Sequence, residues 1–327
     1  MPTKRPLIVD CDTGIDDALA LLYLLGDPEV DLRAVTTVFG NTDAVTAASN
    51  TLRVLEMLGR DDIPVSVGAR SNWRGTFHLA PHVHGDDGLG NTGLTGPVRA
   101  PVDEPAAELI ARAARENPGR LDLLAVGPLT NLATALQLEP KLPELVSHVT
   151  IMGGAVHHPG NITPAAEANI HNDPEAARMV LRAGWDVTLV PLDATMSEVI
   201  TEDHRDRLAD DGTPVSAFAA AILDHYLGFY ERDVFGVRRA ACHDPLAAAI
   251  AVGDVVPRLG PVVEVDVDTG DGPARGMTVA HTRGQYRGFP AQDAASVRVV
   301  LQTDGTFPDA LVDRLCGRGE GRSQHVA

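Results

Sequence analysis

The stretch Leu7–Leu22 reads LIVDCDTGIDDALALL, an apolar strand that closes on two carboxylates, turns at Thr13 and Gly14, and opens a helix with two more. Asp10, Asp12, Asp16 and Asp17 are thus four acids within eight residues. On an extended strand the side chains of i and i+2 share a face, so Asp10 and Asp12 point together while Cys11 points away. The turn then folds Asp16 and Asp17 back over the C-terminal end of the strand, where open α/β sheets place their ligands. Carboxylates packed at one point repel one another unless protons or a cation intervene, and an oxygen-only cluster suits Ca²⁺ or Mg²⁺ rather than Zn²⁺. The stretch predicts a metal site at a strand end. The plainer alternative makes Asp16 and Asp17 first-turn acids that complement a helix dipole.

Strand-like runs recur downstream as LRAVTTVFG, IPVSVG, LDLLAVG, HVTIMGG and DVTLVPLD, separated by helical patterns such as AVTAASNTLRVLEMLG and EPAAELIARAAREN. This alternation through Asp193 predicts α/β architecture: one open, doubly wound, mostly parallel sheet flanked by helices. Beyond it, Ser216 to Tyr230 and Pro245 to Val252 read as helices. PVVEVDVD and GMTVAHT read as a small antiparallel addition, SVRVVLQ as a further strand, and Phe307 to Leu315 as a closing helix. With no internal repeat or linker, residues 1–316 are expected to form one domain and 317–327, rich in Gly, Arg and Ser, a disordered tail. The glycine-rich stretch Ser71 to Leu94 is too long for a tight connection and is expected to cover the site as a lid.

The composition narrows the chemistry. A formal net charge of −18 argues against a nucleic-acid partner or an anionic membrane surface, both of which need a basic face. Lys4 and Lys141 are the only lysines, which leaves neither a P-loop nor a Schiff-base candidate. Cys11, Cys242 and Cys316 lack metal-ligand spacing, and without a signal peptide or spanning apolar run the expectation is a cytoplasmic protein with reduced thiols. Cys11 and Cys242 stand beside suspected site acids, but a buried small residue is the expected role for each.

Further polar residues fall where strands stop: FGN at Asn41, VGPLTN from Val126, MGG from Met152 with Asn161 downstream, EANIHND from Glu167, and CHDP around His243 and Asp244. By itself Asp244 reads as an N-cap with Pro245 at the first helical position. Taken in order, these segments resemble the nucleoside hydrolases, the inosine-uridine-preferring N-ribohydrolases, from Asp10 to Pro245. The resemblance implies Ca²⁺ held by Asp12, Asp17, Asp244 and the carbonyl of Val126, with Asp10 behind them. It further implies that Asp16, Asn41, Asn161, Glu167 and Asn169 hold the sugar, Met152 lies beneath the ribose, and His84 and His243 stand near the base. A homodimer or homotetramer is implied as well. Two departures are Thr13, where the family often has Pro, and Ala168, where it commonly has an aromatic.

The chemistry suits these residues. Cleaving an N-glycosidic bond builds positive charge on the ribose, as in an oxocarbenium ion, and negative charge on the leaving base. Four carboxylates against one divalent cation leave a negative surplus that favours the cation-like transition state. Asp12 is the expected general base for a metal-held water, and His243, titrating near neutrality, the expected general acid toward the base. His243 could instead orient Asp244. Tyr226 and Tyr230, one helical turn apart, either wall the base pocket or pack in the core. Two rivals stay open: a haloacid-dehalogenase-like phosphatase with Asp10 as nucleophile, and a nucleoside- or ribose-binding protein without turnover.

Overall fold

The computed structural model describes residues 5–293 and 295–317, so the expected tail lies outside the described residues except for Gly317. The first six strands are β1 (Pro6–Cys11), β2 (Asp31–Thr37), β3 (Val65–Val67), β4 (Leu121–Ala125), β5 (Val146–Met152) and β6 (Val187–Val190). They pair in parallel in the order β3-β2-β1-β4-β5-β6, as the apolar runs and intervening helices predict. The chain winds outward from β1 through β2 to β3, then returns to β4 on the other side. Strand order therefore reverses between β1 and β4, which opens a crevice at their C-terminal ends.

Strand alternation sorts the core into two layers. Leu7, Val9 and Cys11 pack into one cluster with the helices Ile15–Leu25, Pro214–Tyr230 and His243–Ala251. Ile8 packs into the other with Ala106–Glu116, Thr130–Leu138 and Pro174–Leu181. Asp10 follows on the face of Ile8, toward the helix Thr130–Leu138, which settles the partners described below.

The later strands are β7 (Val199–Thr201), β8 (Arg239–Ala241), β9 (Val262–Val263), β10 (Val265–Val267), β11 (Thr278–Ala280) and β12 (Val297–Val299). β10 and β11 form the expected antiparallel pair. β12 joins β6 in parallel and β9 closes that edge antiparallel, which makes eight strands in all. The antiparallel pair β7 and β8 escaped the sequence reading, because three-residue strands carry too little pattern to read.

The helix expected from Ser216 starts at Pro214, where the Thr213 hydroxyl accepts from Ser216 N at 3.1 Å. The expected Asp244 cap is not formed: the helix begins at His243, Cys242 occupies the cap position, and the carboxylate lies inside the first turn, free to face the crevice. The stretch Ser71–Leu94 contains only the short helix Pro81–His84. Its root is pinned, since Asn72 Nδ2 donates to Asn172 O at 2.9 Å, Trp73 N donates to Asp173 Oδ2 at 3.2 Å, and Arg74 pairs with Glu175 at 2.8 Å. No described helix is long and apolar enough to cross a membrane.

Candidate active site and metal centre

Single oxygens of Asp16, Asp17 and Asp244 lie within 4.8 Å of one another, and all three residues are buried. Burial and their mutual repulsion lift Asp244 well above the ordinary carboxylate range. Burial likewise lifts Asp16 and Asp17 to about 6 each. Asp16 Oδ1 is buried with no hydrogen-bond partner, while its Oδ2 accepts from the Tyr226 hydroxyl at 3.2 Å. A converging all-oxygen set with an orphaned lone pair fits a hard divalent cation.

The trio differs from the expected ligand set. Asp16 belongs to it, and Asp12 stands beside Asp17 rather than within it. Asn41 explains the offset: its amide donates to Asp12 Oδ1 at 3.1 Å and to Asp17 Oδ2 at 2.9 Å, while its backbone N–H donates to Asp12 Oδ2 at 2.7 Å. Asn41 therefore braces two acids. Asp17 Oδ1 and Oδ2 also accept from Asp12 N at 3.1 Å and Gly14 N at 2.8 Å, which ties the turn to the first helical turn. Burial and the charge of Asp17 push Asp12 well up.

Asp10 and Asp12 part company because β1 ends at Cys11, so alternation no longer governs Asp12. Asp10 Oδ1 accepts from Thr36 Oγ1 at 2.6 Å and Asn131 Nδ2 at 2.8 Å, beneath the trio, and burial lifts the carboxyl to about 7. Asn131 also donates to Thr37 O at 3.0 Å and accepts from Ala69 N at 2.8 Å, clasping the ends of three strands and a helix. A Cβ on Gly68 would come within 2.2 Å of Asn131 Oδ1, so glycine is needed there. Asn131→Ala strands these groups in a buried place and is expected to cost about 3 kcal/mol in urea unfolding.

Glycine also seats Asp12. A Cβ on Gly40 would fall 1.9 Å from Asp12 Oδ2, and one on Gly127 would meet Asp12 Cγ at 3.3 Å. Gly40→Ala must displace that carboxylate, and a displacement near 1 Å is expected to lower kcat by about 10²-fold.

The sugar-motif residues gather at the ends of β4 and β5. Asn169 Nδ2 donates to Val126 O at 2.9 Å and to Met152 O at 3.2 Å, so the Val126 carbonyl keeps one lone pair for a cation. The Glu167 carboxylate accepts from the backbone N–H groups of Gly154, Asn169 and Ile170 at 2.8 to 3.1 Å and caps the helix Ala168–Asn172. Asn161 is exposed and its Oδ1 accepts from Ala168 N at 2.9 Å, in service of the same loop.

Two histidines stand deep in the cleft. His84 Nδ1 accepts from Ile15 N at 3.1 Å, its ring lies 5.9 Å from that of Tyr226, and burial lowers it to about 4. His243 engages both ring nitrogens: Nε2 meets the Tyr230 hydroxyl at 2.6 Å and Nδ1 meets Thr195 Oγ1 at 2.7 Å. Burial lowers His243 to about 3, so the ring is neutral at ordinary pH rather than titrating near neutrality. The tyrosines pack edge to face, 4.9 Å between ring centroids, and line the site as part of the core wall. Cys11 and Cys242 are buried, as expected, and burial pushes both thiols up. Thr195 escaped the sequence reading, since nothing in LDAT distinguishes a helical threonine from one that faces a histidine.

The family described as "Inosine-uridine preferring nucleoside hydrolase" matches residues 7–307. A pyrimidine-specific ribonucleoside hydrolase, RihA, of Citrobacter koseri is 38% identical over 95% of this chain and 97% of its own. A probable uridine nucleosidase of Arabidopsis thaliana is 37% identical over 86% of this chain and 84% of its own. Among solved structures, the plant nucleoside hydrolase PpNRh1 superposes with a TM-score of 0.88 at 34% identity, over 96% of this chain and 99% of its own. A purine-preferring ribonucleoside hydrolase from Gardnerella vaginalis reaches 0.88 at 30% identity, over 96% and 98%. With its acids, its GPLTN turn and its HDP helix start assembled at one crevice, this chain belongs to the inosine-uridine-preferring nucleoside hydrolase family and is an N-glycosyl hydrolase.

Proposed function

We propose that the protein hydrolyses ribonucleosides to ribose and free base in a Ca²⁺-dependent reaction. The observation that carries this reading is the convergence of Asp16, Asp17 and Asp244 beside Asp12 at the switch point of the sheet. Asp17, Asp244, Asp16 and the Val126 carbonyl would hold the ion, with Asp12 at its rim. When bound, the cation supplies charge that acidifies water and grips vicinal hydroxyls. Asp12 takes the proton of the attacking water, and burial together with the Asp17 charge raises its affinity for that proton. Excess negative charge from the acids favours the oxocarbenium-like sugar. Asn169 and Glu167 frame the ribose, with Met152 beneath it.

On the leaving side, the geometry favours action through Tyr230 over direct protonation by His243. As negative charge grows on the base, the Tyr230 O–H bond breaks and the proton passes to the base nitrogen. The phenolate left behind is stabilised by a hydrogen bond from His243 Nε2–H, and the proton that Asp12 took from the attacking water returns to it through solvent. Uridine is the first substrate to try, because the Citrobacter and Arabidopsis relatives are named for pyrimidines. Initial rates of ribose release from uridine, cytidine, inosine and adenosine, with and without chelator, test the proposal. Chelator-sensitive release is expected, and loss of phosphate from phosphomonoesters with no ribose from any nucleoside would instead favour a phosphatase with Asp10 as nucleophile.

A further inference from the structure

Thr195 sits at the end of the short helix Leu192–Thr195, with no exposure to solvent. Its hydroxyl makes a single side-chain hydrogen bond among the described residues, to His243 Nδ1 at 2.7 Å. A buried hydroxyl carries one hydrogen, and leaving it without an acceptor is costly. If Nδ1 bore the ring proton, Thr195 would accept it and its own hydrogen would have nowhere to go. With Nδ1 bare, the hydroxyl donates to it and every hydrogen is placed. The ring proton then sits on Nε2, 2.6 Å from the Tyr230 hydroxyl oxygen, and donates to it.

We propose that Thr195 is a positioning residue for leaving-group departure, fixing His243 in the Nε2–H tautomer so that the Tyr230 hydroxyl keeps its own proton to give. The inference rests on the hydrolase reading above and names the residue that sets the direction of its proton donor. Polarity runs one way along the chain: Thr195 donates to His243, His243 donates to Tyr230, and the Tyr230 hydrogen is left for the neighbouring Tyr226 hydroxyl or for a departing base. Reversing the tautomer would make Tyr230 spend its hydrogen on a bare Nε2 and leave it no proton for the base. Thr195 never touches substrate.

The test compares two ribosides on the Ca²⁺-loaded enzyme: uridine, whose base needs a proton to leave, and 4-nitrophenyl riboside, whose leaving group is stable as an anion. Thr195→Val is expected to lower kcat on uridine by about 10²-fold and to change it less than about twofold on the nitrophenyl substrate. Thr195→Ser is expected to restore uridine cleavage. Equal losses on both substrates, or no loss on either, would overturn the proposal. Imidazole ¹⁵N spectra of the wild-type protein, with His243 assigned by difference against His243→Gln, read the tautomer without any turnover. A proton on Nε2 supports the proposal, and a proton on Nδ1 overturns it even if Thr195→Val fails to fold. Should wild type cleave neither riboside, the hydrolase reading fails while the tautomer is still decided by the spectrum.

Discussion

Asp12→Asn is expected to lower kcat for nucleoside cleavage by about 10³-fold, with a much smaller change in KM. The substitution keeps shape and one carbonyl oxygen but removes the carboxylate's proposed role as base, taking a proton from water. Its surroundings are built for that function. Asp12 is 1% exposed, Asn41 grips both of its oxygens, and Gly40 and Gly127 leave the space it fills. Burial and the neighbouring Asp17 raise its proton affinity. A loss below about tenfold, measured by steady-state kinetics on a variant with wild-type circular dichroism, would assign the base elsewhere.

Removing the cation is expected to invert the pH dependence of stability. Asp16 and Asp17 lie at about 6 and Asp10 at about 7, all above the ordinary 3.8. A carboxyl whose pKa folding raises costs the folded state nothing below its unfolded value and the full amount above its folded value. Moving one carboxyl from 3.8 to about 6 corresponds to roughly 3 kcal/mol. Chelator-stripped protein should therefore lose stability as pH rises from about 4 through 7. Protons and cation compete for the same oxygens, so returning Ca²⁺ stabilises least near pH 5 and most near pH 8. At saturating Ca²⁺ near pH 8 the melting temperature is expected to rise by roughly 5 °C or more. Calorimetry of stripped and reloaded protein measures it, and a shift independent of pH would remove the carboxylate cluster as the cation's seat.

The strand–turn–helix at Leu7–Leu22 was legible because its two periodicities meet at one glycine, and the parallel order of β1 to β6 followed from βα alternation. The acids were legible as a group, but their division of labour was not. Alternation pairs Asp10 with Asp12 only as far as the strand runs, and β1 stops between them at Cys11. Asp10 thus goes to Thr36 and Asn131, and Asp16 takes a place in the trio. Glu167 and Asn161 read as sugar ligands from their motif, yet each also holds backbone N–H groups of the loop that carries Asn169, a contact no spacing reveals. Asn41, likewise read as a sugar residue, braces Asp12 against Asp17. Thr195 and His243 are separated by 48 residues, and their contact depends on how the turn after β6 meets the start of a later helix.

The most direct test of the proposed chemistry returns Ca²⁺ in steps to chelator-stripped enzyme in phosphate-free buffer and follows ribose release from uridine alongside bound metal. Release that rises in proportion to bound Ca²⁺ and levels off near one ion per chain is the expected result, with uracil and ribose formed in equal amounts. Full release by the stripped enzyme, or none at any loading, would contradict a carboxylate-held cation as the centre of this reaction.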